Sequence, residues 1–132
     1  MSGALEHWAA VAAGGAIGAC GRFLVAGLAA RAFGPAFPWG TLIVNVAGSL
    51  AIGVLAVWFA GRDAGVLRGF MVVGALGAFT TFSTFSLDFA GLWRGGAAMA
   101  AFGYAAASVL ASLCAVFAGL ALGALLFKGA SG

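Results

Sequence analysis

Between Arg31 and Arg62 the sequence carries no charged side chain at all, and most of what lies there is apolar. The hydrocarbon core of a bilayer is about 30 Å thick and a helix rises about 1.5 Å per residue, so one crossing takes roughly 20 apolar residues. That interval therefore holds a transmembrane helix, expected over residues 40–60, after the breaker Gly34-Pro35-Ala36-Phe37-Pro38. A first helix is expected over 5–30, interrupted in polarity only by Arg22. A third is expected over 67–93, and a fourth over 97–127 after the Gly95-Gly96 break. The fold class is an all-α membrane protein, with four transmembrane helices forming a single domain over residues 1–132.

Composition agrees, because 64% of the residues are hydrophobic and 7% are charged, which leaves no polar coat for a soluble domain. Four crossings nearly exhaust the chain, so a nucleotide site or receptor module has no room. The net charge of +3 comes from residues scattered singly, and no basic run points to nucleic acid. Cys20 and Cys114 lie within apolar stretches, where the expected role is a small buried side chain, without disulfide, metal or redox chemistry. The N-terminus lacks a basic leader and its apolar stretch is too long for a cleavable signal, so it reads as the first crossing. Trp8, Trp39, Trp58 and Trp93 all fall near proposed helix ends, at the headgroup level that amphipathic rings prefer.

Loop charge hardly distinguishes the two faces: one side holds Arg62, Arg68 and Lys128, the other Arg31 and Arg94. With so weak a positive-inside bias, a chain that inserts both ways can pair with its own inverted copy. Small residues offer a means of close helix packing, since Gly14, Gly18 and Arg22 share one face of the first helix at spacing four, and Gly119 and Gly123 repeat that spacing in the fourth.

Several polar residues stand at membrane depth. The run from Gly74 through Ser86 combines helix-weakening glycines with the hydroxyls of Thr80, Thr81, Ser83, Thr84 and Ser86. Either the helix is broken there and its freed backbone groups meet something polar, or it is intact and the hydroxyls bond back to their own carbonyls. Tyr104, Ser108 and Ser112 fall at i, i+4 and i+8 and make one stripe, which suits either an anion track or interhelical hydrogen bonding. Hydroxyls carry no charge, so they can replace water around a moving anion without trapping it. Asn45 adds an amide donor in an apolar run, open to a helix contact or to ligand binding. Phe82 and Phe85 share a helix face, as packing or as ring edges turned to an anion. Arg22, whose insertion costs about 2.5 to 3.5 kcal/mol at the centre of a crossing, either draws anions into a vestibule or snorkels to a headgroup.

Three motifs carry a likeness to a known family. They are Gly14-Gly15-Ala16-Ile17-Gly18-Ala19-Cys20-Gly21-Arg22, then the stretch Pro38-Trp39-Gly40-Thr41 with Asn45, Gly48 and Ser49, and most specifically Gly77-Ala78-Phe79-Thr80-Thr81-Phe82-Ser83-Thr84-Phe85-Ser86. With these, nearly the whole chain resembles the Fluc (CrcB) family of small bacterial fluoride channels. The resemblance implies an antiparallel, dual-topology homodimer in the bacterial cytoplasmic (inner) membrane, with two pores and passive fluoride export that protects the cytoplasm. It implies that Phe82 and Phe85 flank fluoride with their ring edges, that Asn45 holds the aromatic pair, and that Tyr104, Ser108 and Ser112 form a hydroxyl track. Ser83 and Thr84 would line the middle of the path, Arg22 would stand at a vestibule, and the third helix would be broken near its middle. Backbone carbonyls of Gly77 and Thr80, doubled by the two-fold axis, would hold a structural sodium ion (Na+). Asp88 departs from the family pattern, which commonly offers glutamate there; its shorter side chain reaches less far, so a solvated helix end is expected rather than a role in relaying fluoride or adjusting the pore.

A proton-coupled exporter of the small multidrug type also uses four helices, but it needs a carboxylate deep in the membrane. The first helix offers only Glu6 at its very start, and Asp88 lies toward the end of the third. His7 is the single histidine, so no nucleophile, histidine and acid arrangement is available and no enzyme is expected.

Overall fold

A computed structural model describes residues 2–127, so Lys128 lies outside the described residues. Every regular element among them is helical. Four segments are long and apolar enough to cross a membrane: Gly3–Phe33, Trp39–Phe59, Gly65–Arg94 and Ala98–Phe127. The chain is a multi-pass membrane protein.

Helix α1 (Ser2–Phe33) runs three residues past Ala30 and stops where Gly34 takes a φ of +82°, a left-handed conformation that suits glycine. The Gly34 amide bonds back to the Ala30 carbonyl at 3.0 Å and closes the last turn. Helix α2 (Trp39–Phe59) starts directly after Pro38, whose carbonyl accepts from the Leu42 amide at 3.2 Å. Proline suits a helix start, because the amide proton it lacks has no intrahelical partner there. At the other end of α2, Arg62 Nη1 donates to the Trp58 carbonyl, one of the acceptors a helix C-terminus leaves open.

The third span is composite. It consists of α3 (Gly65–Arg68), a π-helical stretch (Gly69–Leu76), α4 (Gly77–Phe79) and α5 (Phe82–Arg94), with Thr80 and Thr81 outside any helix. Helix α6 (Ala98–Phe127) follows the turn at Gly96, where φ is +81°.

Glycines set how closely these helices approach. A Cβ on Gly14 would overlap the Phe70 carbonyl oxygen, and one on Gly18 the Ala75 carbonyl oxygen, so α1 lies directly on the π-helical stretch. On the opposite side α2 and α6 meet at Gly53 and Gly119, where a Cβ would strike the backbone of Val116 and Leu50 respectively. Close backbone approach of this kind supplies the dispersion contact that replaces the hydrophobic effect within lipid.

The buried core is small, with Val44, Ala101 and Tyr104 wholly enclosed, while most large apolar side chains point outward. Water would not tolerate that surface, but acyl chains are as apolar as leucine. Cys20 and Cys114 belong to this outer surface, which corrects the expectation that they are buried. The reason is angular: at about 100° per residue, Cys20 sits roughly 200° around α1 from the packed Gly18.

Candidate functional site

The site is built around the two non-helical residues of the third span. Thr80 has φ −84° and ψ 157°, and Thr81 has φ −156° and ψ 123°, both extended. Extended backbone exposes amides and carbonyls that a helix would pair internally, and Asn45 on the facing helix takes up one set. Its Nδ2 donates to the Thr81 carbonyl at 3.0 Å, and its Oδ1 accepts from the Thr81 amide at 2.8 Å. This reciprocal pair is what a neighbouring strand would provide, supplied here by one side chain. Gly48, one turn along α2, makes the approach possible, because a Cβ there would overlap Thr80 Cγ2.

Thr81 also starts the next helix. Its Oγ1 accepts from the Thr84 amide at 3.2 Å, the usual satisfaction of an orphan first-turn amide. In an unbroken helix the Thr81 amide would serve the Gly77 carbonyl and the Thr84 amide would serve the Thr80 carbonyl. Asn45 and the Thr81 hydroxyl have claimed both donors, so these two carbonyls lose their helical partners together. Among the described residues, no three His, Cys, Asp or Glu side chains come together to hold a metal.

A groove of about 380 Å³ opens beside this point. Asn45, Phe82, Phe85, Ser108 and Ser112 line it, as do Gly77 and Thr80, and among the described residues no charged one does. The Phe82 and Phe85 rings lie 5.3 Å apart at 37°, and Phe85 stacks in turn on Tyr104 at 5.2 Å. Phe82 is 77% exposed, so the groove's outer wall is open. Most hydroxyls here are already engaged: Ser49 donates to the Asn45 carbonyl at 2.7 Å and Thr80 to the Leu76 carbonyl at 3.0 Å. The Ser108 hydroxyl is different: it is buried and has no partner within hydrogen-bond distance among the described residues, although it faces the Tyr104 hydroxyl one turn back along α6.

A second cavity of about 340 Å³ lies on the α1 side and holds Arg22, Thr41, Thr81 and Thr84. Arg22 Nε is likewise buried without a partner among the described residues. Thr84 thus faces this space rather than the central groove, and Ser83 is exposed and lines neither. Tyr104 stays one turn from Ser108 on α6 but does not line the central groove: it is fully buried, and its hydroxyl donates to Asp88 Oδ2 at 3.2 Å. Thr41 donates to the same oxygen at 2.6 Å. Asp88 is therefore a half-buried acceptor of two hydroxyls, which corrects its expected place as a solvated helix end. Two hydroxyl donors from other helices compensate the carboxylate for water lost there.

Thr41 and the capping role of Thr81 had not been singled out from sequence. Threonine is a favoured helix N-cap, but five hydroxyls crowd the same run and the spacing does not distinguish which of them starts the helix.

Fold and site together define a four-span membrane protein whose helices border an open, aromatic and hydroxyl-lined groove beside a helix interruption, with no charge lining it among the described residues. The family described as CrcB-like protein, Camphor Resistance (CrcB) matches residues 9–120, and the chain belongs to that family. It is 53% identical to a protein of Agrobacterium fabrum named fluoride-specific ion channel FluC, across 90% of this chain and 97% of that one. Proteins of the same name from Chelativorans sp. and Rhizobium etli (strain ATCC 51251) are 52% and 54% identical, over 88% and 85% of this chain and 94% and 91% of theirs.

Proposed function

We propose that the protein is a fluoride channel, passing the ion down its electrochemical gradient out of a bacterial cytoplasm through the inner membrane. It works as an antiparallel homodimer with two pores, each running along the central groove. The observation that carries this reading is the Ser108 hydroxyl, buried in a groove lined by two phenylalanines and, among the described residues, without a hydrogen-bond partner or a charge beside it. An orphan buried donor costs about 1–3 kcal/mol, a cost relieved when an acceptor passes. The relatives' printed name supplies the identity of that acceptor.

Fluoride is small and strongly hydrated, so a selective path must offer donors that stand in for its water. Ser108 and Ser112 offer hydroxyls. Asn45 spends one Nδ2 proton on Thr81 and keeps a second for the ion. The ring edges of Phe82 and Phe85 carry the positive part of the aromatic quadrupole and complete the wall. Among the described residues no lysine stands in the groove to hold the ion too long, and no nucleotide is needed. Hydrogen fluoride enters a cell as the neutral acid and dissociates inside, so an open anion path lets the membrane potential drive the ion out. Arg22 draws anions toward the neighbouring cavity.

The resemblance also implies a structural sodium ion on the two-fold axis. The Gly77 and Thr80 carbonyls fit that role, because both have lost their helical donors and hard cations take oxygen ligands. The ion would tie the two helix interruptions of a dimer together.

Phe82→Ile and Phe85→Ile, each reconstituted in liposomes, should abolish fluoride efflux measured with a fluoride electrode while the dimer elutes unchanged. Wild-type flux in both variants would remove the pore assignment. Exhaustive dialysis against sodium-free buffer should weaken the dimer or its activity, and indifference to every monovalent cation would reject the central ion.

A further inference from the structure

Two arginines face a single cavity at the end of the bundle where α2 connects to α3. Arg62 and Arg68 line a space of about 510 Å³, walled on its apolar side by Ile52, Phe59 and Val72. Ile52 and Val72 also line the central groove, so the two spaces adjoin through these residues. Among the described residues, no carboxylate lines either space. Arg62 is held in place twice, by donation from Nη1 to the Trp58 carbonyl and by its position over the Trp58 ring, 5.1 Å from the centroid. Arg68 stands one helical turn inside the third span and is exposed.

We infer that Arg62 and Arg68 form an anion-collecting mouth, which raises the local fluoride concentration at the α2–α3 end of the groove. The inference rests on the fluoride-channel reading above. Guanidinium groups keep their charge at every pH a cell meets, so the mouth is permanently cationic. Low-dielectric walls focus such a field and raise entry rates by roughly 10- to 1,000-fold in favourable cases. Both arginines are exposed, which lets water screen them enough that an arriving anion moves on instead of binding. A phospholipid phosphate would use the same charge chemistry. The groove's own wall residues, shared with this cavity, favour the permeating ion.

A field at the mouth acts on entry, so its effect belongs at limiting fluoride and low ionic strength. The test is single-channel or macroscopic fluoride current from the purified full-length chain in neutral phosphatidylcholine bilayers. Variants are Arg68→Lys, Arg68→Gln, Arg68→Glu and the double variant Arg62→Gln/Arg68→Gln. At limiting fluoride and low salt, the double variant should lose about 10-fold in current, the low end of the range for electrostatic steering. Arg68→Glu should fall below Arg68→Gln, and Arg68→Lys should match wild type. All should converge at saturating fluoride, and also in about 1 M impermeant salt, where the Debye length is about 3 Å. Arg62 caps α2, so the Arg68 series alone keeps the test valid if the double variant fails to fold. An equal fractional loss at every fluoride concentration, or no loss, overturns the inference. A loss confined to membranes containing anionic lipid also overturns it and assigns the pair to a headgroup. A wild-type chain that passes no fluoride would sink the channel reading itself, whereas a conducting wild type with charge-insensitive variants removes only the mouth.

Discussion

Asn45 is the residue on which the site turns, because one side chain satisfies both backbone groups of Thr81. Asn45→Ala would leave an amide and a carbonyl unpaired at membrane depth, at about 1–3 kcal/mol each. The expected outcome is a lower midpoint of thermal unfolding in detergent, followed by tryptophan fluorescence, together with loss of fluoride flux. Asn45→Leu keeps about the same side-chain volume and lacks both hydrogen-bonding groups, so it too should fall below wild type in stability. Equal midpoints for all three would mean that the clamp contributes nothing. Asn45, Phe82 and Ser108 could be singled out from the sequence, since a polar or paired aromatic residue in an apolar run stands out by type alone, and all three line the central groove. The partnerships of Thr81 and Asp88 were not. Thr41 and Tyr104 lie 47 and 16 residues from Asp88, and whether they converge on one carboxylate depends on helix rotations that spacing does not specify.

At the level of elements, the number of crossings followed from apolar length, which bilayer thickness makes nearly decisive. The π-helical stretch Gly69–Leu76 did not follow. A π turn shifts each hydrogen bond by one residue, and across eight nearly all-apolar residues no polar position marks the change of period. Its consequence is nonetheless specific, since it presents the carbonyls of Phe70 and Ala75 to the glycine face of α1. Gly18→Val puts a branched side chain against backbone that cannot rotate away, and should cost about 1–3 kcal/mol or prevent folding altogether. Gly27→Val makes the matched comparison, because a Cβ there meets nothing within 4 Å. The yield of monodisperse protein on size-exclusion chromatography reads the difference. Equal yields would mean that close approach of α1 is not what holds the third span.

At the level of the whole molecule, the groove is half a wall. Phe82 is 77% exposed on its open side, and a path for an anion cannot face acyl chains, so something must close it. A second copy inverted in the membrane would present the same groove from the opposite direction, and the nearly even loop charges permit that insertion. Arg31 and Arg94 on one face against Arg62 and Arg68 on the other leave little preference among the described residues. Ala97 lies in the exposed turn before α6, so Ala97→Cys in a chain also carrying Cys20→Ala and Cys114→Ala reports which way each copy faces. A membrane-impermeant maleimide added outside intact cells should label about half of the copies if both orientations are made. Complete labelling, or none, would establish one orientation and remove the antiparallel dimer. Orientation can also be forced, since lysines added beside Arg94 in one chain and beside Arg62 in another bias them oppositely. Each forced chain expressed alone should then fail to pass fluoride, and the two expressed together should regain it, because only the mixed membrane contains both halves of each pore.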